Sequence, residues 1–374
     1  MNSSRTDPER LKNNTRLLLL NWRDPWHPQA GGAELLTWRI CERLADRGWD
    51  VEWFTARYAT AAPDEIRRGV HFVRAGTQLT VHWEAFRRYR RGARFDCVVE
   101  EINTLPFFTP LYVPAPKAAF FCQLAREVWR FEAPRVIGSL GYTLEPFYLR
   151  PYRKLPLITI SPSSAASLHE LGLRGPTYVI PMAVDEAAVE QVQLEPPSLD
   201  VAVIARLTPS KRIEDCIAAA AAMIGLGWSG RLHIVGDGKA SYVQALRAAA
   251  AALPDGRVVF HGRVRDTQRR DVLMNCAALW VTSVREGWGL VVTEAARCGK
   301  PSVVYDVHGL RDAVVDGVTG YIVREDPNAL AEATLKLFGG RYGDIAANAL
   351  ARSRALSWDT TTDAFESAVR SAIA

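Results

Sequence analysis

What this 374-residue chain lacks narrows its class before anything in it is interpreted. No apolar run is long enough to cross a bilayer as a helix, so no spanning segment is expected. Its six cysteines, at positions 41, 97, 122, 216, 276 and 298, form no Cys-x-x-Cys pair and no His/Cys cluster. That usage predicts reduced thiols in a cytoplasmic protein, with neither a zinc site nor a disulfide framework. There is no G-x-G-x-x-G dinucleotide fingerprint and no Asp-x-Asp pair of the kind that holds a catalytic metal. Residues 1–15 are polar and have no signal-peptide core, and they are expected to form a loose tail.

Charge is neither scarce nor lopsided. Charged residues make up 23% of the chain, apolar residues 48%, and the net charge is +5, which is ordinary for a globular protein. The densest basic stretch is Phe86-Arg87-Arg88-Tyr89-Arg90-Arg91-Gly92-Ala93-Arg94. A solvated helix face is the plainer reading; a peripheral contact with an anionic membrane or acceptor is the other. No nucleic-acid reading motif accompanies these arginines, so no nucleic-acid partner is expected.

What the chain does have is a long alternation of strand and helix signals. Apolar or β-branched runs recur at 16–21, 51–55, 70–73, 95–100, 118–122, 157–160 and 177–180. After a polar stretch ending in Glu195-Pro196-Pro197 a second series begins, at 199–205, 232–235, 258–261, 279–281 and 302–305. Strands separated by helical segments imply βαβ units and parallel sheets covered on both faces. The fold class is therefore α/β, with two Rossmann-like doubly wound domains facing a central cleft. The expected limits are 16–185 for the first domain, 186–198 for a hinge-like linker, 199–355 for the second domain and 356–374 for a last helix beyond it. Ligands of such sheets bind at the carboxyl ends of the strands.

Chemistry concentrates at those ends. Arg285-Glu286-Gly287-Trp288-Gly289-Leu290 leads from the strand at 279–281 into a helix carrying Glu294, with Gly299 as its cap. Free backbone N–H groups at a helix start attract an anion, and glycines let a ligand approach the backbone. Arg206 and Lys211, in Ala205-Arg206-Leu-Thr-Pro-Ser210-Lys211, follow the first strand of the second series. A forked guanidinium beside a mobile ammonium suits a diphosphate, and Ser210 could cap the next helix. Gly31-Gly32-Ala33-Glu34 sits at the first strand-to-helix junction, where a tight turn and a phosphate contact are equally good readings.

Taken together, Gly-Gly-Ala-Glu, Ala-Arg-Leu-(x)3-Lys, Glu-x7-Glu, Asp316-Gly-Val-Thr-Gly-Tyr-Ile-Val323 and Ser357-Trp358 resemble the family-4 retaining glycosyltransferases that use nucleotide sugars. The likeness runs through nearly the whole chain from Leu17. It implies the GT-B architecture, with the C-terminal helix crossing back onto the first domain. By the same resemblance Arg206 and Lys211 bind the donor diphosphate, and Glu294 binds the ribose. Glu286 holds the donor sugar together with the backbone of Gly287, Trp288, Gly289 and Leu290. Gly31 and Gly32 contact the phosphates, and Gly262, Arg263 and Val264 line the base. Glu286, Arg206 and Lys211 are the expected catalytic residues, with no cofactor and no metal beyond the nucleoside diphosphate sugar itself.

One departure stands out. Members of the family usually carry a histidine where Cys122 ends the strand 118–122, and a thiol is a poor substitute in hydrogen bonding. Cys122, Gln123, Arg126 and Trp129 are the acceptor-side candidates. The expected activity is transfer of a sugar, with retention, to a hydroxyl of a glycan, lipid-linked or small-molecule acceptor. The expected place is the cytoplasm or the inner membrane face. A non-catalytic nucleotide-sugar binder, a GT-B sugar-nucleotide epimerase and a phosphorylase are the competing readings.

Overall fold

The computed structural model describes residues 15–92 and 94–373, so the tail expected over 1–15 lies outside the described residues but for Thr15. The chain divides into two compact units. The first takes residues up to Ala125, Thr143–Met182 and Trp358 onward; the second takes Arg126–Tyr142 and Ala183–Ser357. The short stretch 126–142, grouped with the first domain on sequence, thus folds with the second unit.

The first unit is built on an eight-stranded sheet: β1 (Arg16–Leu20), β2 (Asp50–Thr55), β3 (Asp64–Arg67), β4 (Val70–Arg74), β5 (Cys97–Glu101), β6 (Lys117–Phe121), β7 (Leu157–Thr159) and β8 (Thr177–Val179). Their order is β3-β4-β2-β1-β5-β6-β7-β8, parallel except where β3 pairs with β4. Leu17 to Leu20 are all buried, as a central parallel strand covered on both faces requires. The helix Gly32–Asp46 lays Leu36, Ile40 and Leu44 inward at helical spacing.

The last helix, Trp358–Ile373, packs on that helix and on β5 and β6 of the same unit. Phe365 is fully buried edge-to-face against Phe120, with ring centroids 5.8 Å apart. Arg47 adds ion pairs to Asp363 at 2.7 Å and Glu366 at 2.9 Å, and Thr361 donates to the Pro181 carbonyl at 2.9 Å. The C-terminal helix therefore returns to the first unit, as the resemblance implies.

The second unit holds β9 (Val201–Ile204), β10 (Leu232–Val235), β11 (Val258–Gly262), β12 (Ala278–Val281), β13 (Ser302–Tyr305) and β14 (Gly320–Val323), ordered β11-β10-β9-β12-β13-β14 and wholly parallel. The strand order reverses between β9 and β12, and in the first sheet between β1 and β5. Each reversal leaves a crevice at the carboxyl ends where a ligand can lie. The polar stretch before β9 is no free hinge. Arg270 pairs with Glu186, Val189 donates its N–H to the Arg297 carbonyl, and Arg354 bonds the carbonyls of Val189 and Glu190.

Candidate functional site

In the second unit, two of the residues singled out on sequence, Lys211 and Glu286, meet at the β9/β12 reversal. Lys211 ends a single 3-10 turn (Pro209–Lys211) after β9, and Glu286 follows β12. Though 75 positions apart, their side chains form an ion pair. Thr282 and Ser283, just past β12, hold the two loops together. The Thr282 hydroxyl donates to the Lys211 carbonyl at 2.8 Å, and the Ser283 hydroxyl donates to the Glu286 carboxylate at 2.7 Å. Neither residue was picked out on sequence, since a Thr-Ser pair after a strand carries no distinctive pattern.

The backbone of Glu286 is also pinned. Its N–H donates to the His308 carbonyl at 3.1 Å. Gly309, at φ +81, sits so close that a Cβ there would lie 2.4 Å from the Glu286 carbonyl oxygen. Only glycine fits such a contact with that backbone. Gly289 caps the helix Leu290–Arg297 at φ +93, leaving the first N–H groups of that helix without intrahelical partners. Arg206 is exposed just beyond β9.

Other residues take less expected roles. Ser210 does not cap the following helix, because Arg212, in the left-handed region at φ +48, occupies the cap. Ser210 is buried and donates to Glu132 instead. The Trp288 indole turns inward and donates to the Thr293 hydroxyl at 2.9 Å, so its backbone alone is left to meet a ligand. Glu294, the fifth residue of the helix Leu290–Arg297, pairs with Arg269 at 3.4 Å. Burial holds its carboxyl above the usual range despite that arginine. At the end of β11, Gly262 adopts φ +67 and accepts from the Gly236 N–H at 2.9 Å, with Arg263 exposed beside it. His261 stacks on His233, and burial lowers its pKa.

The first unit offers a different set. Gly31 and Gly32 are exposed at the start of the Gly32–Asp46 helix, and the Gly31 N–H donates to Glu34 at 2.7 Å. Glu34 is buried and paired with Arg23 at 2.7 Å, while Asn103 bonds Asn21 at 3.2 Å. Glu101, at the end of β5, accepts from the Thr37 hydroxyl at 2.8 Å. Burial, reinforced by the Glu34 charge, pushes its pKa up. Reading the sequence missed this carboxylate pair, because Glu100-Glu101 looks like a solvated doublet when nothing shows that both are buried.

The four acceptor-side candidates separate. Cys122 and Gln123 belong to the first unit, Arg126 and Trp129 to the second. The Cys122 thiol is buried, and burial with the nearby Glu101 and Glu34 charges raises its pKa well above the ordinary thiol value. Arg126 lies over the Tyr142 ring at 4.0 Å. Trp129 packs against Gly138 and Gly141, where no side chain would fit.

With the geometry in view, comparison with known proteins gives first a class. Residues 198–339 match the family described as "Glycosyl transferases group 1". That match covers 142 of the 374 residues, all within the second unit, and is a likeness of that region to the family. Relatives then narrow the neighbourhood. A D-inositol 3-phosphate glycosyltransferase of Mycobacterium tuberculosis is 34% identical over 182 residues, which is 46% of this chain. The match spans only 37% of that relative's length. Two solved structures share the fold across nearly the whole chain. A sucrose-phosphate synthase from Thermosynechococcus elongatus has a TM-score of 0.80 at 21% identity, covering 96% of this chain and 98% of its own. Anabaena HepE, solved with UDP-glucose, has a TM-score of 0.71 at 19% identity, covering 95% and 99%. The fold is GT-B.

Proposed function

We propose that this protein transfers a sugar from a nucleoside diphosphate donor to an acceptor hydroxyl, with retention at the anomeric carbon. The observation that carries the reading is the Lys211–Glu286 pair at the β9/β12 reversal, with the Gly289-capped helix start following it in the chain. As the bond from sugar to phosphate breaks, negative charge grows on the leaving diphosphate. Arg206, Lys211 and the N–H groups at the helix start are the groups to meet it. Glu286, already held by Ser283, orients the sugar, and Glu294 takes the ribose hydroxyls. Gly262, Arg263 and Val264 border the base, and Gly31 and Gly32 approach the phosphates. Fixed cations substitute for a metal, so turnover survives EDTA.

The acceptor is a glycan, a lipid-linked sugar or a small glycoside, and the site of action is cytoplasmic. A membrane contact through Arg87–Arg94 has limited support: Arg87 is paired with Glu84 and Arg88 with Glu52, which leaves Arg90, Arg91 and Arg94 exposed. The experiment is incubation of the full chain with UDP- and GDP-sugars and a panel of acceptors, reading product and its anomeric configuration by NMR. An α-linked product from an α-linked donor supports the reading. Inversion contradicts the mechanism. Donor binding without product across the panel supports the non-catalytic alternative.

A further inference from the structure

Lys300 stands in the chain between the helix Leu290–Arg297 and β13, and only 3% of it is exposed. Its ammonium has no hydrogen bond and no ion pair among the described residues. The nearest groups able to offset its charge are the Cys276 and Cys298 thiols. Burial pushes these up to about 12 and about 11, so both are uncharged at neutral pH. Burial therefore dominates at Lys300 as well, and pulls its pKa below the ordinary lysine value. A buried cation without a counter-charge is costly, and lysines are almost never fully buried unless paired.

A small pocket of the second unit shows what completes this lysine. Lys300, Ser302, Thr293, Thr319 and Arg352 line it with Trp288 and apolar groups, and among the described residues no carboxylate does. It leaves about 20 Å³ for the centre of a water-sized sphere, room for one water or one monatomic ion. The Ser302 hydroxyl is buried without a hydrogen-bond partner. Thr293 accepts from the Trp288 indole at 2.9 Å and Thr319 from the Val315 N–H at 2.8 Å. Neither hydroxyl proton has an acceptor among the described residues. The lining side chains thus offer protons and positive charge, a set that suits an anion and repels a cation. A water would satisfy Ser302 but leave the Lys300 charge uncompensated. We propose that this pocket is a binding site for a small monatomic anion, chloride by its chemistry, held by Lys300 and Ser302. Because Thr293 also holds the Trp288 indole, the bound anion braces the Trp288–Gly289 segment from inside.

The test is thermal unfolding of the full chain in sodium chloride against sodium gluconate at equal ionic strength, gluconate being too large to enter. Wild type is compared with Lys300→Met, which keeps a side chain of similar length and removes its charge. Chloride in place of gluconate is expected to raise the wild-type Tm by about 2–4 °C relative to its effect on the variant. Ser302→Ala removes one hydroxyl and should raise the half-saturating chloride concentration by about threefold or more, a readout that serves where Lys300→Met does not fold. In crystals grown with sodium bromide, anomalous scattering should place a bromide against Lys300 Nζ and Ser302 Oγ. The proposal is overturned if wild type and Lys300→Met respond alike to chloride. It is also overturned if Ser302→Ala leaves half-saturation unchanged, or if bromide is absent from the pocket. None of these measurements involves a nucleotide or sugar transfer, so failure of the transferase reading leaves them standing.

Discussion

The two sheets end in different chemistry. At the β1/β5 reversal Asn21, Glu34, Thr37 and Glu101 are buried, and the contacts of Arg23 with Glu34, Thr37 with Glu101 and Asn103 with Asn21 hold them. At the β9/β12 reversal the charged groups stay reachable: Arg206 is exposed, and Lys211 and Glu286 are only half-buried. Buried, mutually paired side chains are held against their neighbours, whereas an exposed Arg206 and the partly exposed Lys211–Glu286 pair can be reached by an incoming anion. The same topology thus supplies a more buried end in one unit and a more exposed one in the other.

Breaking the open end should have the largest effect. Arg206→Ala and Lys211→Ala are each expected to lower kcat by about 10²–10³, because each removes charge stabilisation that grows toward the transition state. Steady-state kinetics with one donor–acceptor pair checks this. Glu294→Ala should weaken nucleotide binding by about tenfold, measured by calorimetry, with a smaller loss in kcat.

The closed end should answer in stability and with a pH signature. Burial and Glu34 raise the Glu101 pKa in the folded state above its unfolded value. An ionised Glu101 therefore costs stability above the folded pKa, and that cost disappears as pH falls below the unfolded value. Glu101→Gln should raise Tm relative to wild type at high pH, with the advantage shrinking toward acid. An advantage that grew toward acid would contradict the burial account. The smallest effect is expected from Cys122→Ala, a change of less than about twofold in kcat, since a buried thiol of raised pKa stays protonated and unreactive.

Much of this comparison is legible in the sequence, for physical reasons. Buried parallel strands such as Leu17–Leu20 and Val201–Ile204 announce themselves as apolar runs. Two strands did not. β3 is an exposed antiparallel edge whose single apolar residue, Ile66, is 72% exposed, and β14 hides inside the turn-rich segment 316–323. In the candidate site, motif spacing pointed to Lys211 and Glu286, but their meeting depends on Thr282, Ser283 and Gly309, whose roles exist only once the loops are folded. Ser210 looked like a cap because the left-handed Arg212 backbone cannot be foreseen from local pattern. The placement of 126–142 with the second unit was equally invisible, since it follows from tertiary contacts such as Glu127 with Arg285 and Glu132 with Ser210.

The central claim is that the open end of the second sheet holds the donor diphosphate through Arg206 and Lys211 without a metal. Calorimetric titration of UDP and GDP into wild type, Arg206→Ala and Lys211→Ala, all in EDTA, tests it most directly. The account predicts measurable wild-type binding of one of the two nucleotides and a loss of about tenfold or more in each variant. Equal affinity in all three proteins, or binding that appears only when a divalent cation is added, would contradict it.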